Sequence, residues 1–177
     1  RNLDFYRNVL GQRFVKRTVN FDAPDTYHFY FADEAGTPGS VLTFFAWTNV
    51  RKGVRGNGET NVVAYNVPVG SLGFWQARLD ENGVKTDPIE ERFGEKVLPF
   101  SDPDGMRVEL VEVKSLPPVR FWEDGPVPQE YALRGFHSVT LWLDEVEPTS
   151  GLLVDQMGYQ AAGREGNRYR FIGDTNA

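Results

Sequence analysis

Two histidines have the broadest chemical repertoire in this chain, and both lie in patterns typical of β-strands. His28 lies in the run Tyr27-His28-Phe29-Tyr30, and His137 lies in Gly135-Phe136-His137-Ser138-Val139-Thr140. An imidazole can bind a metal or transfer a proton near neutral pH. A histidine on a strand more often makes an internal hydrogen bond. We expect a structural or surface role for His28, and two roles stay open for His137: a hydrogen-bonded core residue or a metal ligand.

The other reactive groups give weaker signals. Cysteine is absent, which excludes disulfides, zinc–thiolate sites, iron–sulfur clusters and thiol nucleophiles. The serines lack the strand–turn–helix context of a nucleophile elbow. The carboxylates of Glu90, Glu91 and Glu95 flank Arg92 and are typical of a solvated face. The sequence has neither a P-loop nor a dinucleotide-binding fingerprint.

Composition narrows the class of protein further. The chain has 177 residues, a formal net charge of -6 and 13 Phe, 7 Tyr and 4 Trp, which is enough apolar surface for a core. An acidic chain without a basic face is a poor binder of nucleic acid. No apolar run approaches the roughly 20 residues that span a bilayer. The sequence therefore predicts an acidic enzyme or binding domain, without a membrane or nucleic-acid partner, and the absence of cysteine fits a cytoplasmic location.

A helical unit that closes on glycine occurs three times. A helical pattern ends at Leu10-Gly11, a weaker one ends before Gly83, and a third ends at Met157-Gly158. Alternating strand patterns follow each copy, and Asp102-Pro103-Asp104-Gly105 predicts a hairpin turn. These repeats predict an α+β fold built from βαβββ modules.

The module boundaries follow from the breaks between these patterns. The sequence predicts a first module without its first strand (1–50), a basic Gly-rich linker (51–59), a complete second module (60–114), a Pro-rich connector (115–133) and a truncated third module (134–177). Since the chain starts with Arg1 and both outer modules are incomplete, we expect a fragment of a longer parent protein.

Three local signatures resemble the vicinal oxygen chelate superfamily, which includes glyoxalase I, bleomycin-resistance proteins and extradiol dioxygenases. They are Leu3-Asp4-Phe5-Tyr6 closing on Val9-Leu10-Gly11, Asp102-Pro103-Asp104-Gly105-Met106-Arg107-Val108-Glu109-Leu110, and Gly135-Phe136-His137-Ser138-Val139-Thr140. The longer stretch from Phe14 to Phe45 resembles the hydroquinone-type ring-cleaving dioxygenases in particular. The resemblance runs over essentially the whole chain.

The resemblance implies a fold, a cofactor and a reaction for the parent. The modules would form curved mixed half-barrel sheets with the helices outside. Four modules would hold Fe(II) through two histidines and one carboxylate, leaving positions for an aromatic substrate and dioxygen. The ligands would come from the first strand of module one and from module four, so the main triad is expected outside this chain.

Within this chain, the resemblance singles out His137 and Glu109 as positions that hold a metal ligand in other modules. His137 lies 21 residues before Gly158, and the same count back from Gly83 reaches Val62 beside Asn61, neither of which is a first-choice ligand. Glu109 is equivalent to the carboxylate of a module's last strand. Without the resemblance, a histidine or a glutamate at such a strand position is more often a structural residue than a metal ligand.

Two other functions stay open at this stage. One is a glyoxalase-like isomerase that uses a divalent metal. The other is a metal-free module that binds a small molecule in an apolar cleft between paired modules. In either case, incomplete modules would expose sheet surface, so we expect a homo-oligomer or pairing of modules between chains.

Overall fold

The computed structural model describes residues 1–48, 50–51 and 53–173. It begins with helix α1, an α-helical turn (Asn2–Asp4) that continues as a π-helix (Phe5–Val9). Strands β1 (Arg13–Val19), β2 (Tyr27–Ala32) and β3 (Leu42–Phe45) follow and form an antiparallel sheet in that order. The helix and the three strands match the elements that the sequence predicts for the first module.

The second unit contains strand β4 (Glu59–Pro68), helix α2 (Leu72–Glu81) and strands β5 (Glu90–Arg92), β6 (Glu95–Ser101) and β7 (Arg107–Val113). β4 runs parallel to β7, which the chain reaches through helix α2 and strands β5 and β6. Glu112 on β7 caps the start of α2, because its Oε1 accepts hydrogen bonds from the amides of Gly70 and Leu72. The unit therefore has the strand, helix and three strands of one complete βαβββ repeat.

The third unit completes a shared sheet. Strand β8 (Phe136–Trp142) pairs antiparallel with β4, which gives a mixed five-stranded sheet in the order β5-β6-β7-β4-β8. Helix α3 (Glu147–Gly151) continues as a π-helix (Leu152–Gln156) and leads to a hairpin of β9 (Gln160–Glu165) and β10 (Arg168–Ile172). The end of the predicted third module, 174–177, lies outside the described residues.

The main core lies between the first two helices and one face of the three-stranded and five-stranded sheets. Trp75 and Leu79 of α2, Tyr6 of α1, Leu10 directly after it, and Phe31 of β2 are fully buried in it. Arg78 of α2 joins these two helices, since its guanidinium donates to the carbonyl oxygens of Asn8 and Val9. The opposite face of each of these two sheets is free of helices.

The connector between the second and third units is tied to the first sheet through Asp33. One carboxylate oxygen of Asp33 accepts from the amides of Ala35 and Thr37, and the other accepts from the amide of Arg120 at 3.2 Å. Burial alone would raise the pKa of Asp33, but the hydrogen bonds that it accepts outweigh burial and hold the pKa below its ordinary value. The connector is therefore anchored to the first sheet at Arg120.

The α+β class, the mixed five-stranded sheet and the likeness to a solved relative confirm the predicted fold class. Two details differ from the sequence prediction. The predicted strand from Ser40 to Trp47 is limited to Leu42–Phe45, and the one predicted near 86–92 begins only at Glu90, with Thr86 forming a single bridge to Phe100. Pro88 explains the second difference, because it cannot donate a hydrogen bond to the neighbouring strand.

The glycine that closes each repeated helix confirms the repeat. Gly11, Gly83 and Gly158 have φ angles of +69°, +71° and +73°. A left-handed residue after the last helical turn satisfies the final carbonyl groups, and glycine adopts it without steric cost. One structural requirement therefore accounts for the same residue at three places in the sequence.

Candidate functional site

The helix-free face of the five-stranded sheet carries a cluster of charged and titratable side chains. We call it the charged face; it consists of Arg92 on β5, Glu95 on β6, Glu109 on β7, His137 on β8 and Arg170 on β10. The apolar residues Ala64, Val97 and Val111 form a small separate core beside it. Four strands of the sheet and one strand of the third-unit hairpin thus place five ionisable groups together.

Arg92 and Glu109 form the most enclosed pair of this face. Arg92 Nη1 lies 2.8 Å from Glu109 Oε1, and the two side chains are only 13% and 7% exposed. Arg92 also donates from Nε to Glu90 Oε2 at 2.8 Å, at the exposed rim. Because a buried carboxylate needs a partner, Arg92 fixes Glu109 as a structural anion.

Glu95 joins the second and third units. Its Oε2 lies 2.6 Å from Arg170 Nη2, and its Oε1 lies 3.4 Å from His137 Nε2. Burial lowers the pKa of His137 below its ordinary value, which outweighs the opposing effect of the nearby carboxylates Glu95 and Glu109. The imidazole is therefore mainly neutral near pH 7, with its other nitrogen 2.8 Å from Ser138 Oγ.

The β9–β10 hairpin closes over this face at the β5–β6 turn. The amide of Phe93 donates to Glu165 Oε1 at 2.8 Å, and the guanidinium carbon of Arg170 lies 4.4 Å from the centre of the Phe93 ring. Phe93 has a φ of +51°, unusual for a residue with a side chain. Contacts from both units stabilise this turn, so the charged face is an interior surface.

His137 and Glu109 do lie on one face, as their predicted roles require, but each is engaged by a protein partner. Among the described residues, no group of three or more His, Cys, Asp or Glu side chains is arranged to hold a metal ion. An arginine beside the carboxylate opposes a cation electrostatically. The donors present therefore do not fit a three-ligand iron site.

The first-strand position of the second unit offers no alternative donor set. Val62 is buried on β4, and Asn61 lies at an irregularity in the pairing of β4 with β8. The amide of Asn61 is buried, and neither of its polar atoms has a hydrogen-bond partner in the described part of the chain. Asn61 is therefore a buried polar residue on β4 without a second donor residue beside it at Val62.

His28 lies on a different surface, the helix-free face of the first sheet. Its Nδ1 lies 2.9 Å from the hydroxyl of Tyr30, and its ring centre lies 4.1 Å from those of both Tyr30 and Phe45. The structure therefore places the two histidines on separate faces.

Sequence reasoning missed three members of the charged face. Arg92 and Glu95 belong to a stretch that was interpreted as solvated, yet both side chains are largely buried, and Arg170 carried no signal of its own. The alternation of Glu90, Arg92 and Val97 on paired strands could have placed Arg92 on one face. Arg170, the partner of Glu95 on the third unit, could not have been found from the sequence, because the contact depends on how the β9–β10 hairpin folds.

The comparisons with known proteins agree with this architecture. Residues 1–110 match the model of the Glyoxalase/Bleomycin resistance protein/Dioxygenase superfamily, and the chain belongs to this family.

Two curated relatives and one solved structure cover nearly the whole chain. The Bacillus subtilis protein named "Putative ring-cleaving dioxygenase MhqO" is 45% identical over 98% of this chain and 55% of its own length. The chlorohydroquinone/hydroquinone 1,2-dioxygenase of Sphingobium indicum is 39% identical over 96% of this chain and 54% of its own length. A crystal structure of a dioxygenase described as putative, from Bacillus subtilis, superposes with a TM-score of 0.89 at 44% identity, over 98% of this chain and 56% of that one. The chain spans about half the length of the relatives it matches.

No helix in the described part of the chain is long and apolar enough to cross a membrane.

Proposed function

We propose that this chain forms part of a ring-cleaving dioxygenase that opens a hydroquinone-like aromatic ring with dioxygen. The observation that carries the proposal is the 39% identity to a hydroquinone 1,2-dioxygenase across 96% of this chain. The identity extends over all three units and is not limited to a single motif. It therefore supports a shared architecture. Fold alone would not support a reaction, because one fold hosts many reactions.

The proposal includes Fe(II) held outside this chain. Iron would supply such a reaction with open positions for one substrate oxygen and for dioxygen. The donors of the charged face do not fit it, since Glu109 is paired with Arg92 and His137 faces Glu95. The role that we assign to this chain is to build the sheets that support the site and exclude water from it.

The test is turnover by the complete product of the gene that encodes this chain. With Fe(II) added, we expect oxygen uptake and a ring-opened product from hydroquinone, in equal amounts. Removal of Fe(II) by a chelator should abolish uptake. Tight binding of hydroquinone without oxygen uptake, in protein that holds iron, would contradict the proposal and favour a binding module instead.

We also propose a cytoplasmic location, which the absence of cysteine supports, and a homo-oligomer or pairing of modules between chains. The exposed apolar side chains of β8, Val139 (58%) and Leu141 (41%), support such a contact.

A further inference from the structure

The helix-free face of the first sheet carries aromatic, hydroxyl and charged side chains that lie opposite one another on neighbouring strands. We call it the open face; it consists of Lys16 and Thr18 on β1, His28 and Tyr30 on β2, and Thr43 and Phe45 on β3. Lys16 lies opposite Tyr30, Thr18 opposite His28, and His28 opposite Phe45. The alternate residues of the same strands, such as Phe29 and Phe44, pack on the core below the helices. The alternation of the strands thus gives this sheet a second, distinct surface.

Aromatic rings dominate the centre of the open face. The ring of His28 contacts those of Tyr30, two residues along the same strand, and Phe45, opposite it on β3, with ring centres 4.1 Å away in both cases. The ring of His28 is tilted by 35° to that of Tyr30 and by 31° to that of Phe45, which is 42% exposed. A cluster of tilted rings with one exposed member is a surface on which a further flat ring can pack.

Tyr30 and His28 form a hydrogen-bonded pair within this cluster of rings. The hydroxyl of Tyr30 lies 2.9 Å from His28 Nδ1. His28 Nε2 is buried and has no partner in the described part of the chain. Because a phenol oxygen can donate one hydrogen bond and accept two, Tyr30 keeps capacity for a second partner after it bonds His28.

We propose that the open face binds the phenol-bearing ring of the substrate, with Tyr30 contacting a phenol oxygen and His28 acting as a positioning residue that orients the Tyr30 hydroxyl. This inference rests on the proposed function and assigns its substrate class to residues of this chain. Lys16 adds a positive charge at the same place, since its Nζ lies 5.6 Å from the centre of the Tyr30 ring. No ion pair of the described residues involves Lys16. Its charge is therefore available to favour an ionised phenol.

The composition of the open face favours a small ring over a protein partner. One of its six residues, Phe45, is wholly apolar, and the others carry hydroxyl, imidazole or ammonium groups. The centres of protein interfaces are depleted in lysine and charged groups. Small-molecule sites instead combine aromatic surface with a few placed polar atoms. The charge on Lys16 also matches a phenolate.

The direct test is an anaerobic titration of this chain with hydroquinone, followed by two-dimensional NMR. We expect the largest shift changes at residues of β2 and β3. Replacing Tyr30 by phenylalanine keeps the ring and removes the hydroxyl, so affinity should fall about 10-fold, as expected for one lost hydrogen bond to a partly charged group. Tyr27→Phe is the matched control, because Tyr27 precedes His28 on the same strand and faces the other side; its affinity should stay within about twofold of the unaltered chain.

The positioning role of His28 is tested by two substitutions that both remove the ring. His28→Asn keeps a polar atom near the position of Nδ1, and His28→Leu does not. We expect His28→Asn to retain affinity within about threefold and His28→Leu to lose about 10-fold. Equal losses in both would assign His28 a packing role and overturn the positioning step. Unchanged signals from the buried Leu98 and Leu110 would show that each variant is folded.

Binding and turnover separate this inference from the proposed function. If the shifts map elsewhere, or Tyr30→Phe leaves both affinity and the KM of the complete gene product unchanged, the open face is not the substrate surface, although the dioxygenase assignment stands. If hydroquinone binds at the open face but iron-loaded protein cleaves no ring, the dioxygenase assignment fails and the binding assignment stands.

Discussion

Replacing Arg92 by methionine is expected to lower the free energy of unfolding by about 3–5 kcal/mol, since it leaves a buried carboxylate without its partner. Glu109 is only 7% exposed and lies 2.8 Å from Arg92, so the loss of the guanidinium exposes the full cost of burying its charge. Urea unfolding of the purified chain measures this effect.

Two comparisons isolate the cause. Arg107→Met removes the arginine of a pair with Asp87 whose side chains are 32% and 50% exposed, and we expect a loss below about 1 kcal/mol. The double variant Arg92→Met with Glu109→Leu removes both charges and should recover most of the stability, because well-packed apolar residues can replace a buried pair. A loss in Arg92→Met no larger than that in Arg107→Met would contradict the view that Glu109 is held as a structural anion.

Replacing Gly11 by alanine is expected to lower the free energy of unfolding by about 2–5 kcal/mol. Two effects contribute: the strain of a left-handed backbone at a residue with a side chain, and overpacking by the added methyl group. Gly11 has a φ of +69°, and an added Cβ would lie 2.6 Å from Cγ2 of Val127. Val127 is 5% exposed and belongs to the connector between the second and third units. The substitution therefore disturbs the contact between the first helix and the connector. Thermal or urea unfolding measures the change.

Gly83→Ala is the matched control for this effect. Gly83 ends helix α2 with a φ of +71°, but an added Cβ there meets no atom within 4 Å. We expect a loss of about 1–2 kcal/mol, from backbone strain alone. Equal losses at the two positions would show that Val127 moves aside, and that the connector does not hold the first helix in place.

The repeat and the class of fold could be predicted because they depend on local patterns. Three helical segments closing on glycine require the same backbone conformation at Gly11, Gly83 and Gly158, and all three have it. The turn at Asp102–Gly105 was equally local: Asp102 Oδ1 accepts hydrogen bonds from the amides of Asp104 and Met106. Such signals need no knowledge of distant residues.

The composition of the charged face could not be predicted in the same way. Glu95 binds Arg170, which lies 75 positions along the chain, and Phe93 binds Glu165. Each contact requires the β9–β10 hairpin to fold back over the β5–β6 turn, and no short pattern in the sequence encodes this. Glu90 and Glu91 are exposed, as the sequence predicts, whereas the hairpin encloses Arg92 and Glu95 of the same stretch.

The two helix-free faces differ in the way their polar groups are satisfied. On the charged face, carboxylates and arginines neutralise one another across two units. On the open face, Lys16 and Tyr30 keep unused capacity, and Phe45 is exposed. This contrast is the physical reason for assigning ligand binding to the first sheet and a structural role to the second.

Iron binding measured anaerobically, on this chain and on the complete gene product, distinguishes an iron site outside this chain from one on its charged face. We predict one tightly bound Fe(II) per complete product and no stoichiometric binding by this chain, because Arg92 and Glu95 engage Glu109 and His137. One Fe(II) bound per chain of 177 residues, and lost in Glu109→Gln or His137→Asn, would contradict the account and make the charged face the metal centre.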